Sequence, residues 1–175
     1  FLESCLQLVI TSGCDGIVAI GGGSALDLGK AVAALALNKE VPFSELAQMF
    51  SIKRLPFIAV PTTAGTGSEA TKVTVITDSA KGIKLNPGHP DLVPDIAILD
   101  PVLTLDVPNH ITAFTGIDAL THAIEAYVST KATILSDLYA LQAIEMITAN
   151  IIKAYEEPTN LEARGQMLLA SYYAG

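Results

Sequence analysis

The hydrophobic pattern of the chain changes near residue 108, and this change constrains the fold more than any other feature. Before it, short β-branched runs at residues 16–20 and 55–60 alternate with helical patterns such as residues 24–37. After it, only helical periodicity is found, at residues 117–128, 134–154 and 161–173. Strands that alternate with helices indicate an open α/β sheet with parallel strands. We therefore predict a partial α/β domain over residues 1–108 and a partial all-helical domain over residues 109–175.

Further segments fit the same division. The pattern predicts helices at 1–12 and 43–50, strands at 71–77 and 95–99, and a Gly/Pro-rich connection at 82–94. The chain begins with Phe1 rather than Met, and it starts and stops within helical patterns. We therefore expect an internal fragment of a longer protein.

Composition excludes several classes of function. With 10 basic and 18 acidic residues the net charge is −8, which opposes binding to nucleic acid. The longest apolar run, residues 31–37, is shorter than the ~20 residues of a membrane span. Cys5 and Cys14 are too few for a disulfide framework or a cysteine zinc site, and we expect buried or half-buried thiols. No leader pattern precedes the first helix, so a cytoplasmic location is expected.

Three glycines at 21–23 follow the first predicted strand and precede a helix. Without Cβ atoms their backbone N–H groups can approach an anion, and the helix start adds partial positive charge. The run has neither G-x-G-x-x-G spacing nor a P-loop lysine. The alternative is a plain turn with a helix cap, in which Ser24 and Asp27 form an acidic capping box. The loop alone leaves both interpretations open.

A second polar loop follows the strand at 55–60. Six of the nine residues at 61–69 are Thr, Ser or Gly. In open α/β sheets ligands bind outside the carboxyl ends of strands, where both loops are expected to lie. The alternative is an ordinary turn in which Thr66 or Ser68 caps a helix. Together, the two loops favour an extended anionic cofactor.

Asp118 and His122 are spaced i, i+4 and therefore lie on one helix face. Their oxygen and nitrogen atoms are suited to Fe(II), Zn(II) or Mn(II). Glu125 continues the same polar stripe. Two ligands do not complete a metal site, so the spacing alone favours an Asp–His hydrogen bond or a solvated stripe.

Taken in order, three motifs resemble the iron-dependent (group III) alcohol dehydrogenases. They are G-G-G-S-x-x-D at 21–27, P-T-T-A-G-T-G-S-E at 61–69 and G-x-D-A-L-T-H-A-x-E-A-Y at 116–127. The resemblance includes P-D-I-A-I-L-D-P at 94–101 and covers essentially the whole chain. It implies a dinucleotide-binding α/β domain, an all-helical metal domain and an active site in the cleft between them.

The resemblance also implies roles for individual residues. The residues implied to contact the cofactor are Gly22, Gly23, Ser24 and Asp27 at the diphosphate, Thr62, Thr63 and Thr66 on the second loop, and Lys84 near the ribose. Asp118 and His122 match two metal ligands, and the family's other two ligands are histidines further along the chain. No catalytic acid or base is assigned, because the relay histidine is expected in the absent part. His89 and His110 are predicted to be structural or solvent-exposed.

The implied reaction is hydride transfer between an alcohol or aldehyde and NAD or NADP, with a divalent metal that polarises the substrate oxygen. Fe(II) is expected, with Zn(II) as the alternative. We also expect a homo-oligomer, because an unpaired sheet edge favours pairing with another copy. One alternative is a relative similar to glycerol dehydrogenase or dehydroquinate synthase, against which His122 argues. Another is a non-catalytic truncated nucleotide-binding fragment, which the missing ligands favour for the chain by itself.

Overall fold

The computed structural model describes residues 1–79 and 81–175, which group into two compact units. Unit 1 comprises residues 1–60 and 71–98, and unit 2 comprises residues 61–70 and 99–175. Neither unit is continuous in the sequence. The predicted fold class is confirmed, since a parallel sheet with helices precedes a helical region.

Unit 1 combines a small sheet, a hairpin and two α-helices. Its elements in chain order are α1 (Leu2–Ser12), β1 (Ile17–Gly21), α2 (Gly23–Leu35), a 3-10 helix (Phe43–Gln48), β2 (Phe57–Pro61), β3 (Ile76–Asp78), β4 (Ile83–Leu85), a 3-10 helix (Pro90–Leu92) and β5 (Ile96–Ala97). The sheet order is β1-β2-β5, and β2 runs parallel to β5 with Ile58 opposite Ile96. β3 and β4 form a separate antiparallel hairpin.

Helix α2 packs on one face of the sheet because a glycine allows close contact. A Cβ on Gly29 would lie 2.6 Å from the Phe57 ring and 2.8 Å from Ala19 Cβ. Phe57 and Ala19 belong to the buried apolar cluster of unit 1, together with Leu26 of α2. This contact fixes the start of α2 next to the end of β1, which is where the glycine loop lies.

Unit 2 is built on three α-helices that follow a 3-10 helix. The helices are α3 (Asn109–Val128), α4 (Ile134–Glu156) and α5 (Leu161–Ala174), and the 3-10 helix is Pro101–Thr104. Small residues bring the helices together: a Cβ on Gly116 would lie 2.8 Å from Ile151 Cδ1 and 2.9 Å from Met167 Cε. Thr133 forms a capping box at the start of α4, and Asn160 caps α5 through Ala163 N–H.

Most predicted elements are confirmed, but the strand at 71–77 is largely wrong. The strand begins at Ile76 and pairs with β4 in the hairpin instead of joining the parallel sheet. The preceding residues bond to α2: Thr74 Oγ1 donates to Asp27 O at 2.6 Å, and Val75 N–H donates to the Asp27 carboxylate at 3.0 Å. β4 lies inside the stretch that was predicted as a connection.

Two further expectations need correction. Helix α3 begins at Asn109, well before the predicted residue 117. Cys5 is half-buried as predicted, but Cys14 is exposed. The reason is that Gly13, with a φ of +64°, caps the end of α1 and places Cys14 beyond the helix. Within the described residues, no helix is both long enough and apolar enough to cross a membrane.

Candidate functional site

The glycine loop connects β1 directly to α2. Gly21 has a φ of +154°, and a Cβ there would lie 2.7 Å from Ala25 Cβ. Gly22 is the N-cap in an extended conformation and makes no side-chain cap hydrogen bond. The alternative in which Ser24 is the N-cap of a capping box with Asp27 is therefore wrong, because Gly22 is the N-cap and Ser24 lies in the first turn, where it is exposed. Without a side-chain cap, the first N–H groups of α2 are suited to an anion.

Asp27 and Lys30 lie on the buried side of α2. The Asp27 side chain is 12% exposed and Lys30 is 0% exposed, with Oδ1 and Nζ 3.5 Å apart. Lys30 Nζ also donates to Thr71 Oγ1 and to Val73 O, both at 2.8 Å. The structure thus holds Asp27 in a network with residues 71–75, while its implied contact with the diphosphate stays a prediction.

The hydroxyl-rich loop lies in unit 2, where two glycines allow it to pack on helices α3 and α5. A Cβ on Gly65 would lie 2.6 Å from Thr115 Cβ and 3.0 Å from Thr115 Cα. Gly67 has a φ of +58°, and a Cβ there would lie 2.8 Å from both Ser171 O and Gly175 Cα. Such approaches exclude every residue larger than glycine without displacement of the backbone.

The loop's hydroxyl groups differ in exposure. Thr62 and Thr63 are half-buried, whereas Thr66 is exposed and accepts a hydrogen bond from Ser68 N–H at 3.3 Å. In the described chain no helix begins at residues 66–69, so the alternative in which Thr66 or Ser68 caps a helix is wrong. The loop thus presents hydroxyl groups from a turn anchored on α3 and α5.

Asp118 and His122 meet on α3 with Oδ2 and Nε2 3.5 Å apart. Their side chains are 49% and 41% exposed, and Glu125 is exposed on the same helix. Ala119 and Ala123, which alternate with them along α3, are buried in the core of unit 2. Core packing therefore directs the polar stripe outward, where an ion can reach it.

The donor set fits part of a divalent metal site. One carboxylate and one imidazole suit Fe(II) or Zn(II), but four ligands are usual for a closed tetrahedral site. Across the residues that the structure describes, no group of three or more His, Cys, Asp or Glu side chains could hold a metal ion. Asp118 and His122 alone are too few to complete such a site, and their role as metal ligands stays a prediction.

Three further residues were singled out from the sequence, namely Lys84, His89 and His110. Lys84 is exposed on β4, opposite Thr77 of β3. His89 is buried, with Nδ1 accepting from Asp91 N–H and Nε2 3.1 Å from Met49 O. His110 is exposed and makes an edge contact with Phe114. Both were predicted to be structural or solvent-exposed, and this is confirmed, with His89 buried and hydrogen-bonded and His110 exposed.

Arg54, which lies shortly before β2, binds Asp95 immediately before β5, a contact that the sequence did not reveal. Its guanidinium contacts both Asp95 oxygens, at 2.6 and 2.8 Å, and Phe57 N–H donates to the same carboxylate at 2.7 Å. These hydrogen bonds, led by that from Arg54, hold the pKa of Asp95 below its usual value. Arg54 stands beside Lys53 between apolar residues, and no local pattern separates the two, so only the fold reveals its partner.

Arg164 is the buried cation of unit 2. Its guanidinium donates to Thr112 Oγ1 at 2.8 Å and to Pro158 O at 3.0 Å. Burial lowers the pKa of Arg164, because a low-polarity surrounding disfavours the charged form. Since Thr112 belongs to the first turn of α3, Arg164 fixes the start of the helix that carries Asp118 and His122.

Comparison with known proteins finds two family models in sequence order. Residues 2–101 match the model described as iron-containing alcohol dehydrogenase. Residues 112–175 match the model described as Fe-containing alcohol dehydrogenase family, C-terminal. Together the two models account for nearly the whole chain.

Individual relatives agree with the family models. The chain is 53% identical over 165 residues to the probable alcohol dehydrogenase EutG of Escherichia coli, covering 94% of this chain and 42% of that protein. It is 42% identical over 164 residues to the NAD-dependent methanol dehydrogenase of Bacillus methanolicus, covering 93% of this chain and 43% of that protein. The chain thus spans about two fifths of the length of these curated relatives.

Solved structures share the fold over nearly all of the chain. The sulfoacetaldehyde reductase of Bifidobacterium kashiwanohense, solved in complex with NAD+, superposes with a TM-score of 0.91 at 39% identity. The match covers 99% of this chain and 46% of that one. An iron-containing alcohol dehydrogenase of Thermotoga maritima gives a TM-score of 0.90 at 38% identity, with coverage of 99% and 47%.

Proposed function

Because the chain belongs to the iron-containing alcohol dehydrogenase family, we propose that the whole protein transfers a hydride between an alcohol or aldehyde carbon and the nicotinamide ring of NAD or NADP. Three similar proteins are named with their cofactor: an NAD-dependent methanol dehydrogenase, a sulfoacetaldehyde reductase in complex with NAD+ and an NADH-dependent butanol dehydrogenase. NAD is accordingly the cofactor that we favour.

The observation that carries this proposal is the contact between the hydroxyl-rich loop and α3. Gly65 packs on Thr115, which precedes Asp118 by three residues, or about 4.5 Å along the helix axis. One compact unit therefore carries both the proposed cofactor loop and the proposed metal ligands. That arrangement suits hydride transfer, because the two reacting carbons must be held in a defined geometry.

For the cofactor, we assign the diphosphate to the glycine loop. The N–H groups of Gly22, Gly23 and Ser24 lie at the start of α2, where an anion is stabilised by unpaired donors and the helix dipole. Thr62, Thr63 and Thr66 offer hydroxyl groups from the second loop. The exposed ammonium of Lys84 is assigned to the ribose side on the resemblance alone.

For the metal, Asp118 and His122 would supply a negatively charged oxygen and a neutral nitrogen. A bound divalent ion, Fe(II) or alternatively Zn(II), supplies Lewis acidity toward the substrate oxygen. The remaining ligands would come from other parts of the whole protein or from a second copy of the chain. The partial domains at 1–108 and 109–175, the homo-oligomer and the cytoplasmic location remain predictions.

The comparisons favour this reaction over the two alternatives. Relatives named alcohol dehydrogenases support hydride transfer to or from an alcohol, not the lyase reaction of a dehydroquinate synthase. A small alcohol or aldehyde is the expected substrate class, and neither nucleic acid nor a membrane is an expected partner.

The test compares two histidines of α3 in the whole protein. His122→Ala should lower NAD(P)H-dependent aldehyde reduction in the presence of Fe(II) by about 100-fold or more, together with the bound iron, because the site loses a ligand. His110→Ala, at the exposed start of the same helix, is the matched control and should retain both. Equal activity and equal iron content in the two variants would reject the proposed role of His122.

A further inference from the structure

Lys30 is fully buried in unit 1, although lysine is rarely buried without a partner. It lies seven residues, or about two helical turns, after Gly23, the first residue of α2. Its ammonium donates to Thr71 Oγ1 and Val73 O, both at 2.8 Å, and lies 3.5 Å from Asp27 Oδ1. The function proposed above leaves this buried group without a role.

Asp27 binds the same segment through its backbone and its side chain. Its carbonyl oxygen accepts from Thr74 Oγ1 at 2.6 Å, and its carboxylate accepts from Val75 N–H at 3.0 Å. Thr74 is completely buried. Asp27, Lys30 and residues 71–75 thus form a connected set of buried and partly buried hydrogen bonds, which we call the Asp27–Lys30 network.

The location of the network bears on an anion at the glycine loop. Asp27 lies in the second turn of α2, four residues after Gly23. A carboxylate that faced a diphosphate would repel it, because like charges at short range disfavour each other. In the network the carboxylate is instead directed at Val75 N–H and Lys30, and the ammonium offsets its charge.

We propose that Asp27 and Lys30 are positioning residues that fix the first turns of α2 to residues 71–75 and thereby hold the N–H groups of the glycine loop ready for a diphosphate. The assignment rests on the proposed function, since it takes the glycine loop as the diphosphate site. Under it, Asp27 acts through the helix and does not touch the cofactor. This replaces the direct contact that the family resemblance implies for Asp27.

The experiment uses the whole protein with two readouts. Hydrogen–deuterium exchange of the peptide that covers residues 21–28 reports how firmly the glycine loop is held. Titration with ADP, which carries the diphosphate without the nicotinamide, reports binding. The variants are Lys30→Met, which keeps the side-chain length, and Thr74→Val, which removes only the hydroxyl bond to Asp27. Thr77→Val, at an exposed position on β3, is the control.

In each of the two network variants, the exchange rate at residues 21–28 should rise about tenfold and the affinity for ADP should fall about tenfold. The reason is that Lys30→Met removes the ammonium and its hydrogen bonds, and Thr74→Val removes the hydrogen bond to Asp27. Thr77→Val should change neither quantity. If Lys30→Met does not fold, Thr74→Val decides the question, since it alters no charge. Unchanged exchange in the folded variants would overturn the proposal.

A direct role for Asp27 would give a different result. Asp27→Asn would then weaken ADP binding while exchange at residues 21–28 stayed at the wild-type rate, and this result would also overturn the proposal. If the wild-type protein failed to bind ADP at all, the proposed function would fail. Exchange in Lys30→Met and Thr74→Val would still show, independently of ADP, whether the network holds the glycine loop in place.

Discussion

The contact between Gly65 and Thr115 gives the sharpest prediction, because it connects the hydroxyl-rich loop to the helix of Asp118 and His122. An alanine Cβ at position 65 would lie 2.6 Å from Thr115 Cβ, and 3.0 Å from both Thr115 Cα and Thr115 O. Carbon atoms in contact are normally about 3.5–4.0 Å apart. Gly65→Ala must therefore move the loop or the helix backbone by roughly 1 Å.

The expected magnitude follows from overpacking. An extra methyl group in a packed site lowers the free energy of unfolding by about 1–3 kcal/mol. For a chain of this size each kcal/mol of lost stability lowers Tm by roughly 2–4 °C, so Gly65→Ala should lower Tm by about 2–12 °C. In the whole protein kcat should fall by up to about 100-fold, because a shift of 1 Å misplaces the reacting groups.

The matched control is Gly165→Ala, a glycine-to-alanine change inside α5 of the same unit. Its Cβ would lie 3.8 Å from Pro101, which is ordinary contact. Alanine favours a helix over glycine by about 1 kcal/mol, so this variant should be as stable as the wild type or more so. Thermal unfolding of the chain and steady-state kinetics of the whole protein provide the measurements. If Gly65→Ala had the same Tm and the same kcat as Gly165→Ala, the reasoning from close packing would be refuted.

Three other perturbations test further parts of the account. The lowered pKa of Asp95 means that the unfolded state binds more protons near pH 3.8, so the free energy of unfolding should fall as the pH drops below about 4. Acid titration should show a weaker fall for Asp95→Asn than for the wild type, and an equal fall in both would contradict the role of the Arg54 contact. Arg164→Ala should lower the free energy of unfolding by roughly 2–4 kcal/mol in urea titrations, because Thr112 and Pro158 lose their hydrogen-bond donor. A variant as stable as the wild type would contradict the stabilising role of Arg164. The isolated 175-residue chain should lose Fe(II) to mild chelation, since Asp118 and His122 are two ligands only; tight stoichiometric iron in a monomer would contradict the incomplete site.

The elements with strong periodicity could be predicted from the sequence. β1, α2, α4 and α5 lie within a few residues of their predicted positions, because their apolar residues repeat with the period of the structure. The start of α3 was missed because Thr112, Thr115 and Gly116 interrupt its apolar pattern. Those residues contact Arg164, the hydroxyl-rich loop and α4, so tertiary contacts stabilise this end of the helix.

The contacts around the candidate site were harder to predict. Spacing alone placed Asp118 and His122 on one face, and the structure brings them to 3.5 Å. No local pattern reveals that Lys30 is buried against residues 71–75, because its partners lie more than 40 residues away. The same distance explains why the strand predicted at 71–77 begins only at Ile76, since residues 71–75 bond to a helix rather than to a neighbouring strand.

The central claim is direct hydride transfer from an alcohol carbon to the cofactor, and isotope transfer tests it most directly. The whole protein would be incubated with Fe(II), NAD+ and a primary alcohol deuterated at its carbinol carbon, and the reduced cofactor analysed by NMR and mass spectrometry. The account predicts one deuterium at C4 of the nicotinamide ring for each aldehyde formed, because the hydride never exchanges with water. Reduced cofactor without deuterium, or aldehyde formed without reduced cofactor, would contradict it.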